Sequence, residues 1–497
     1  MIEIKDLKFQ YAGAASPSLQ DISLSIADGE CVLFCGKSGC GKTTMTRLFN
    51  GMIPDFYEGE LTGSVRINDL DPISCSMHEL SKTVGTVFQN PRTQFYTVNT
   101  TSEIAFGCEN YGMPSEVIRQ RVIQAATDLH MTDLLDRNIF KLSGGEKQKI
   151  AFASIYALNP DIYVLDEPSS NLDMFSIREL RDILKLLKRQ GKTIILAEHR
   201  TWYLEQLVDR AMFMEDGKII REYSMQELAA FTNEQRRITG IRPVNLAAFH
   251  PVSPKPDLSK HQISWKGVSF GYKKESNLQI PQMTSVAGHI TAVIGKNGAG
   301  KSTFVSVLCG ILKNQKGTVS LDQETLRVKK RLSLSYMVLQ EVNHQLFTDS
   351  VEEEIVLGIR EPSKQKLETV LEQMDITDLR ARHPMTLSGG QKQRVAVAAA
   401  MFCGKQILVF DEPTSGLDFS HMTQTAELLQ SLKSPETFIF VITHDYEFIL
   451  SACDMVVQID NGRVQDTYEL DTAGVEKLQE FYQISEYQQP SRNARLL

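Results

Sequence analysis

Gly36-Lys37-Ser38-Gly39-Cys40-Gly41-Lys42-Thr43-Thr44 decides the reading of this 497-residue chain. Its first eight residues follow the spacing G-x-x-x-x-G-K-[ST], a loop built to cradle phosphate. Before it, Cys31 to Cys35 form a short apolar run suited to a buried strand, and Thr44 to Phe49 after it suit a helix. In the order strand, glycine loop, helix, backbone N–H groups can close around an anion at a helix start. Lys42 sets a positive charge against terminal phosphates, and the Thr43 hydroxyl is placed to ligate Mg²⁺.

The pattern returns as Gly295-Lys296-Asn297-Gly298-Ala299-Gly300-Lys301-Ser302-Thr303, again after an apolar run, Ile290 to Ile294. Other stretches recur with it. Leu142-Ser143-Gly144-Gly145-Glu146-Lys147-Gln148 returns as Leu387-Ser388-Gly389-Gly390-Gln391-Lys392-Gln393. The apolar run ending in Asp166-Glu167-Pro168 returns ending in Asp411-Glu412-Pro413, and His199 returns as His444. The offsets 388 − 143, 411 − 166 and 444 − 199 all equal 245, so one domain was duplicated. The phosphate loops are offset by 259, because the first half carries extra residues, part of them near Ile53 to Glu60.

Strands alternating with helices around each loop predict a mainly parallel α/β core in each half. Each half opens on alternating residues, as antiparallel strands do, and closes on a hairpin turning at Asp216-Gly217 or Asn461-Gly462. The expected division is a first domain over 1–232, a linker over 233–262, a second domain over 263–480 and a tail over 481–497. Pro243, Pro251, Pro254 and Pro256 disfavour a continuous helix across the joint, and residues 245–260 are expected to be exposed.

The composition, 42% hydrophobic with a net charge of −8, suits a soluble protein with ample core and gives no basic nucleic-acid footprint. The eight cysteines form no C-x-x-C pair and are expected to be reduced thiols. No signal-peptide core and no run of about 18 apolar residues occurs, so other chains must supply any membrane span.

Phosphate loop, Leu-Ser-Gly-Gly, Asp-Glu, Ser-x-Leu-Asp (Ser170-Asn171-Leu172-Asp173 and Ser415-Gly416-Leu417-Asp418) and His, in that order and twice, resemble the ATP-binding cassette ATPases. The resemblance implies two tandem P-loop NTPase domains, each an α/β parallel core with an antiparallel β subdomain and a helical subdomain. It implies ATP and Mg²⁺ as cofactors, with Thr43, Gln89 and Asp166, and Ser302, Gln340 and Asp411, around the metal. Glu167 and Glu412 fit general bases that activate water. His199 and His444 would contact the γ-phosphate, and Tyr11 and Tyr272 would stack on adenine. Ser143-Gly144-Gly145 and Ser388-Gly389-Gly390 would bind the ATP held by the opposite cassette, so the halves should pair head-to-tail within one chain. One site would then join Lys42, Asp166, Glu167 and His199 to Ser388 and Gly390. The other would join Lys301, Asp411, Glu412 and His444 to Ser143 and Gly145. Cys40 and Ala299 occupy variable loop positions.

After Gln89 come Asn90-Pro91-Arg92-Thr93-Gln94-Phe95-Tyr96-Thr97, and after Gln340, Gln345-Leu346-Phe347-Thr348 and Val351-Glu352-Glu353-Glu354. These look like the ATPases of the energy-coupling-factor importers of cobalt and vitamins. The likeness implies work at the cytoplasmic face of the cell membrane, beside an integral membrane scaffold and a membrane-embedded substrate-binding protein. The alternatives are a tandem ATPase of a sugar-type importer and a soluble ribosome-associated tandem ATPase. No nucleic acid is expected as a partner.

Overall fold

Five-residue runs such as Ile162–Asp166 and Thr193–Ala197 are buried along their whole length, as strands covered on both faces must be. The computed structural model describes residues 1–54, 56–250, 261–271, 278–313 and 315–484. It divides into two units, Met1–Leu246 with Gly416–Ser420, and Ala247–Ser415 with His421–Leu497.

In the first unit, Ile2–Tyr11 pairs antiparallel with Leu19–Ile26 on one side and Gly59–Ile67 on the other. A second sheet runs Val84–Val87, Ile162–Asp166, Thr193–Ala197, Cys31–Cys35, Arg210–Glu215, Lys218–Tyr223. Its first five strands are parallel to their neighbours, and the last closes the predicted hairpin at Asp216 and Gly217, both at positive φ. The helix Lys42–Phe49 buries Met45, Leu48 and Phe49 in a core shared with Phe9, Ile22, Phe34 and Val164. Three helices, Thr100–Asn110, Ser115–Asp128 and Gly144–Leu158, make the helical part. Asn99 caps the first through the N–H groups of Thr101 and Ser102. Ser143 and Glu146 form a reciprocal capping box on the third.

The second unit repeats this plan with its sheets joined. Ten strands form one sheet, because Gln279 pairs with Arg463 and links the antiparallel strands to the parallel ones. The core gathers around Trp265, fully buried against Phe304 at 5.8 Å and Phe440 at 6.2 Å.

Two expectations need correction. Within the expected linker, Asn233–Thr239 is a helix, capped by a Thr232–Gln235 box and stopped by Gly240 at φ 75°. Leu246 and Phe249 are buried where exposure was expected, and the arm from Gly240 is tied down by Thr201 donating to the Arg242 carbonyl at 2.9 Å. Pro243, past the glycine stop, does not free the chain, because the apolar residues that follow it still bury. Residues 251–260 lie outside the described residues. In the expected tail, Phe481 still belongs to the helix Thr472–Phe481, and Tyr482 and Ile484 are buried, with Tyr482 edge-on to Tyr446 at 6.3 Å. Residues 485–497 lie outside the described residues. The eight cysteines are free thiols, as expected.

Trp265→Ala removes the largest side chain of the second core. It should cost about 3–5 kcal/mol, read as an earlier urea transition for the second unit with the first unit unmoved.

Candidate nucleotide sites

Parallel strands carry their C-terminal ends to one edge of a sheet, and short excursions past that edge place side chains together. Gln89 stands two residues past Val84–Val87, Asp166 closes Ile162–Asp166, and His199 stands two residues past Thr193–Ala197. The glycine loop follows Cys31–Cys35, the next strand over.

The loop is held tightly. Gly36, Gly39 and Gly41 have φ of 142°, 83° and 108°. A Cβ on Gly36 would collide with the Met214 carbonyl oxygen, and one on Gly41 would lie 2.8 Å from that of Ser18. Lys42 is buried, with Nζ donating to the carbonyl oxygens of Gly36 at 3.0 Å and Lys37 at 2.9 Å. The Ser38 N–H donates to Asp418 Oδ2 at 2.7 Å; Asp418 belongs to the short segment that joins the first unit. Cys40 is buried under the loop, where Lys42 Nζ lies 3.8 Å from its sulfur, and burial pushes its thiol up.

Thr43 donates its hydroxyl to Asp166 Oδ1 at 3.2 Å. Burial, then the charge of Glu167, raises the Asp166 carboxyl to about 6. A cation at Thr43 and Asp166 would relieve this. Among the described residues no group of three or more His, Cys, Asp or Glu is placed to hold a metal. Mg²⁺ there would therefore lean on nucleotide oxygens as much as on the protein, which suits an ion that keeps few protein ligands. The buried ammonium, the glycine cradle and the Thr–Asp pair fit ATP with Mg²⁺.

Glu167 lies at φ 44° directly before a proline, a doubly disfavoured backbone, with its N–H on the Ala197 carbonyl at 2.8 Å. That kink turns the side chain back over the sheet edge. Oε1 lies 3.4 Å from His199 Nε2 and Oε2 accepts from Gln89 Nε2 at 2.6 Å. Burial opposes its charge, but the hydrogen bond and charge of His199, with Lys42 behind, hold the carboxyl below its usual value. An ionised carboxylate so held can take a proton from water.

The second unit repeats the lysine and histidine contacts. Gly295 stands at φ 153°, and Lys301 Nζ donates to the carbonyl oxygens of Gly295 at 2.9 Å and Lys296 at 3.1 Å. Asn297, Gly298, Ala299 and Gly300 complete the loop, and Ser302 and Thr303 open the helix Lys301–Leu308. Glu412 sits at φ 48°, its N–H on the Ile442 carbonyl, with His444 Nε2 3.4 Å from Oε1. Burial raises the Asp411 carboxyl and Lys301 opposes it. Gln340 is exposed two residues past Ser335–Val338. Tyr272 lies outside the described residues.

Ser143-Gly144-Gly145 and Ser388-Gly389-Gly390 sit at the N-termini of Gly144–Leu158 and Gly389–Cys403. Within the first unit Gly145 packs on Ser176, where a Cβ would lie 2.5 Å from the hydroxyl. Tyr11 has its hydroxyl 3.2 Å from Thr44 Oγ1 and accepts from Arg47 at 2.9 Å.

Sequence reasoning missed the buried support behind the site. Glu198 accepts from the N–H groups of His199 at 2.8 Å and Arg200 at 3.0 Å, and from the Tyr203 hydroxyl at 2.9 Å. Arg200 donates to the carbonyl oxygens of Ser169 and Leu172, bracing the turn after Glu167. In the second unit the corresponding Asp445 accepts from Thr414 Oγ1 at 2.8 Å. The Glu-His-Arg run was a visible signal; Asp418 was marked as the end of the repeated Ser-x-Leu-Asp motif, but nothing marked its partner Ser38, 380 residues away.

Asp166 gives a pH signature. Its folded carboxyl lies above its ordinary value of 3.8, so the stability it lends is present at low pH and lost as pH rises through about 6. Asp166→Asn should therefore raise the melting temperature of the nucleotide-free protein by about 2 °C or more at pH 8 and by roughly half as much at pH 5. An equal shift at both values would reject the raised carboxyl.

The ABC transporter family profile matches residues 19–170 and 278–415, more than half of the chain. The chain is 47% identical over 470 residues to a Treponema denticola protein whose name assigns it, by inference, as an ABC transporter ATP-binding protein; the match spans 93% of this chain and 96% of that one. It is 31% identical over 498 residues to a Bacillus subtilis protein named, also by inference, the HMP/thiamine import ATP-binding protein YkoD, with 94% and 91% covered. A structure of archaeal ABCE1 with Pelota aligns over 96% of this chain and 80% of its own at a TM-score of 0.66 and 20% identity, a likeness of fold. Proteins of this family bind ATP with Mg²⁺ and hydrolyse it. With a complete loop, carboxylate pair and histidine in each half, this chain belongs to the ABC transporter family, as an ATPase with two cassettes.

Proposed function

We propose that the chain is the ATP-hydrolysing subunit of an energy-coupling-factor-type importer of a vitamin or metal ion, at the cytoplasmic face of the membrane. ATP supplies the free energy through cleavage of its γ-phosphate. The residues do the rest. Lys42 and Lys301 hold phosphate charge; Thr43 with Asp166, and Ser302 with Asp411, orient the metal. Glu167 and Glu412 take the proton of the attacking water while His199 and His444 hold them in place. Gln89 joins Glu167 to the segment that carries Tyr96. Tyr11 and Tyr272 take the adenine. Ser388 and Gly390 complete the first site, and Ser143 and Gly145 the second, so nucleotide binding draws the halves together and hydrolysis releases them.

One observation carries the reading: Glu and His stand 3.4 Å apart in both halves, each Glu on the same positive-φ kink. Neither half has lost its chemistry. The importer branch draws support from the named import role of the Bacillus subtilis relative. It also draws on the exposed aromatics Tyr96 and Phe347, each beside a buried glutamate. Glu103 accepts from the N–H of Thr97 at 2.8 Å, and Glu354 from that of Phe347 at 2.8 Å. These shelves suit helices of a membrane scaffold. No helix among the described residues is long and apolar enough to cross a membrane.

Glu167→Gln and Glu412→Gln should each lower steady-state ATPase turnover by about half or more, and together by about 100-fold or more. A silent substitution at either position would refute two working sites. Purification in mild detergent should bring down integral membrane proteins; recovery with ribosomes instead would overturn the importer reading.

A further inference from the structure

The halves differ beside Tyr11. Between Gly51 and Gly63 the first half has 11 residues, while between Gly310 and Gly317 the second has six. The extra chain is zipped onto the end of the strand Ile2–Tyr11. Gly59 pairs with Tyr11, and the Ala12 N–H donates to the Glu58 carbonyl at 2.9 Å. Gly59 has to be glycine there, since a Cβ would lie 2.6 Å from the Phe9 ring. The pairing sets Tyr57 edge-on to Tyr11 at 6.4 Å, with Phe56 edge-on behind it at 5.0 Å.

Arg47 fills the angle between the two tyrosines. It stands in the last turn of the helix that the phosphate loop opens. Its guanidinium carbon lies 3.8 Å from the centroid of the Tyr57 ring, and Nη1 donates to the Tyr11 hydroxyl at 2.9 Å. The same hydroxyl meets Thr44 Oγ1, two residues past Lys42. A guanidinium held over an aromatic face loses little further freedom when it donates, and its charge strengthens the bond. In the second half the corresponding position is Ser306. The local backbone confirms the match: the Arg47 carbonyl accepts from Met52 and Ile53, the Ser306 carbonyl from Ile311 and Leu312. Serine can neither stack nor reach across, and no counterpart of Tyr57 exists there.

We propose that Arg47 and Tyr57 form a clamp that fixes the Tyr11 ring as a wall for a purine base, so that the first site holds nucleoside triphosphate more tightly than the second. The inference rests on the reading of Tyr11 as an adenine-stacking residue. Arg47 and Tyr57 act through Tyr11 and are positioning residues. The phosphate grip is separate, and the clamp leaves it unchanged.

The test uses the full chain and equilibrium binding of TNP-ATP displaced by ATP or by inorganic triphosphate. Lys301→Ala leaves the first site to report, and Lys42→Ala the second. In the Lys301→Ala background, Arg47→Ser should weaken ATP binding several-fold, on the order of five-fold, without changing binding of inorganic triphosphate. Tyr57→Ala should do the same, while Tyr57→Phe, which keeps the ring under the guanidinium, should restore most of the affinity. In the Lys42→Ala background Arg47→Ser should have no effect. Equal losses for ATP and triphosphate would make Arg47 a structural residue and overturn the clamp, as would unchanged ATP binding. Failure of the underlying reading looks different: Tyr11→Ala would then leave ATP affinity intact. Matching melting curves for Arg47→Ser and its parent background keep a folding defect from being mistaken for either outcome.

Discussion

A single backbone hydrogen bond in each half sets the geometry on which the chemistry depends. The N–H of Glu167 reaches the Ala197 carbonyl, and that of Glu412 reaches the carbonyl of Ile442. Each bond extends the parallel ladder one residue past the strand, where the chain should already have left the sheet. Keeping it forces the glutamate to a positive φ before a proline, a conformation that costs on the order of 1–3 kcal/mol in an unconstrained chain. Fully buried neighbouring strands make the constraint affordable. The result is a carboxylate folded back over the sheet edge, within reach of the histidine from the next strand.

Charge is managed differently on the two sides of that kink. Asp166 and Glu167 are adjacent, both largely buried, and cannot share one ordinary acidity. Glu167 has His199 and Gln89 to stabilise its charge, and Asp166 has the hydroxyls of Thr43 and Thr46 and the charge of Arg47, which burial and Glu167 outweigh. One carboxylate is thus kept ionised while its neighbour is left wanting a cation. This is the division that a base beside a metal ligand requires.

Behind the shared front, the halves have diverged. The first braces its histidine turn with Glu198, Arg200 and Tyr203, a buried charged network that satisfies its own polar groups. The second uses Asp445, which accepts from Thr414 Oγ1 and from the Phe448 N–H. The lysine and histidine contacts of the two halves agree to within a few tenths of an ångström while the supports differ. Duplication followed by independent repacking gives that pattern, because side chains behind a site need only fill space and satisfy hydrogen bonds.

The sequence by itself determined the duplication, the strand–loop–helix contexts, both hairpins and the identities of the lysines, carboxylates and histidines. These are local matters: glycine freedom, apolar runs, turn pairs and residue spacing are written in neighbouring positions. Only the tertiary structure decided that Glu167 and Glu412 are kinked, that Asp418 meets the Ser38 N–H, and that Arg47 lies between Tyr11 and Tyr57. It also decided that Leu246 and Phe249 bury where prolines suggested an exposed joint. Each of these depends on partners tens to hundreds of residues away. Periodicity and motif spacing describe what a segment prefers, and such partners are chosen by packing across the sheet edge.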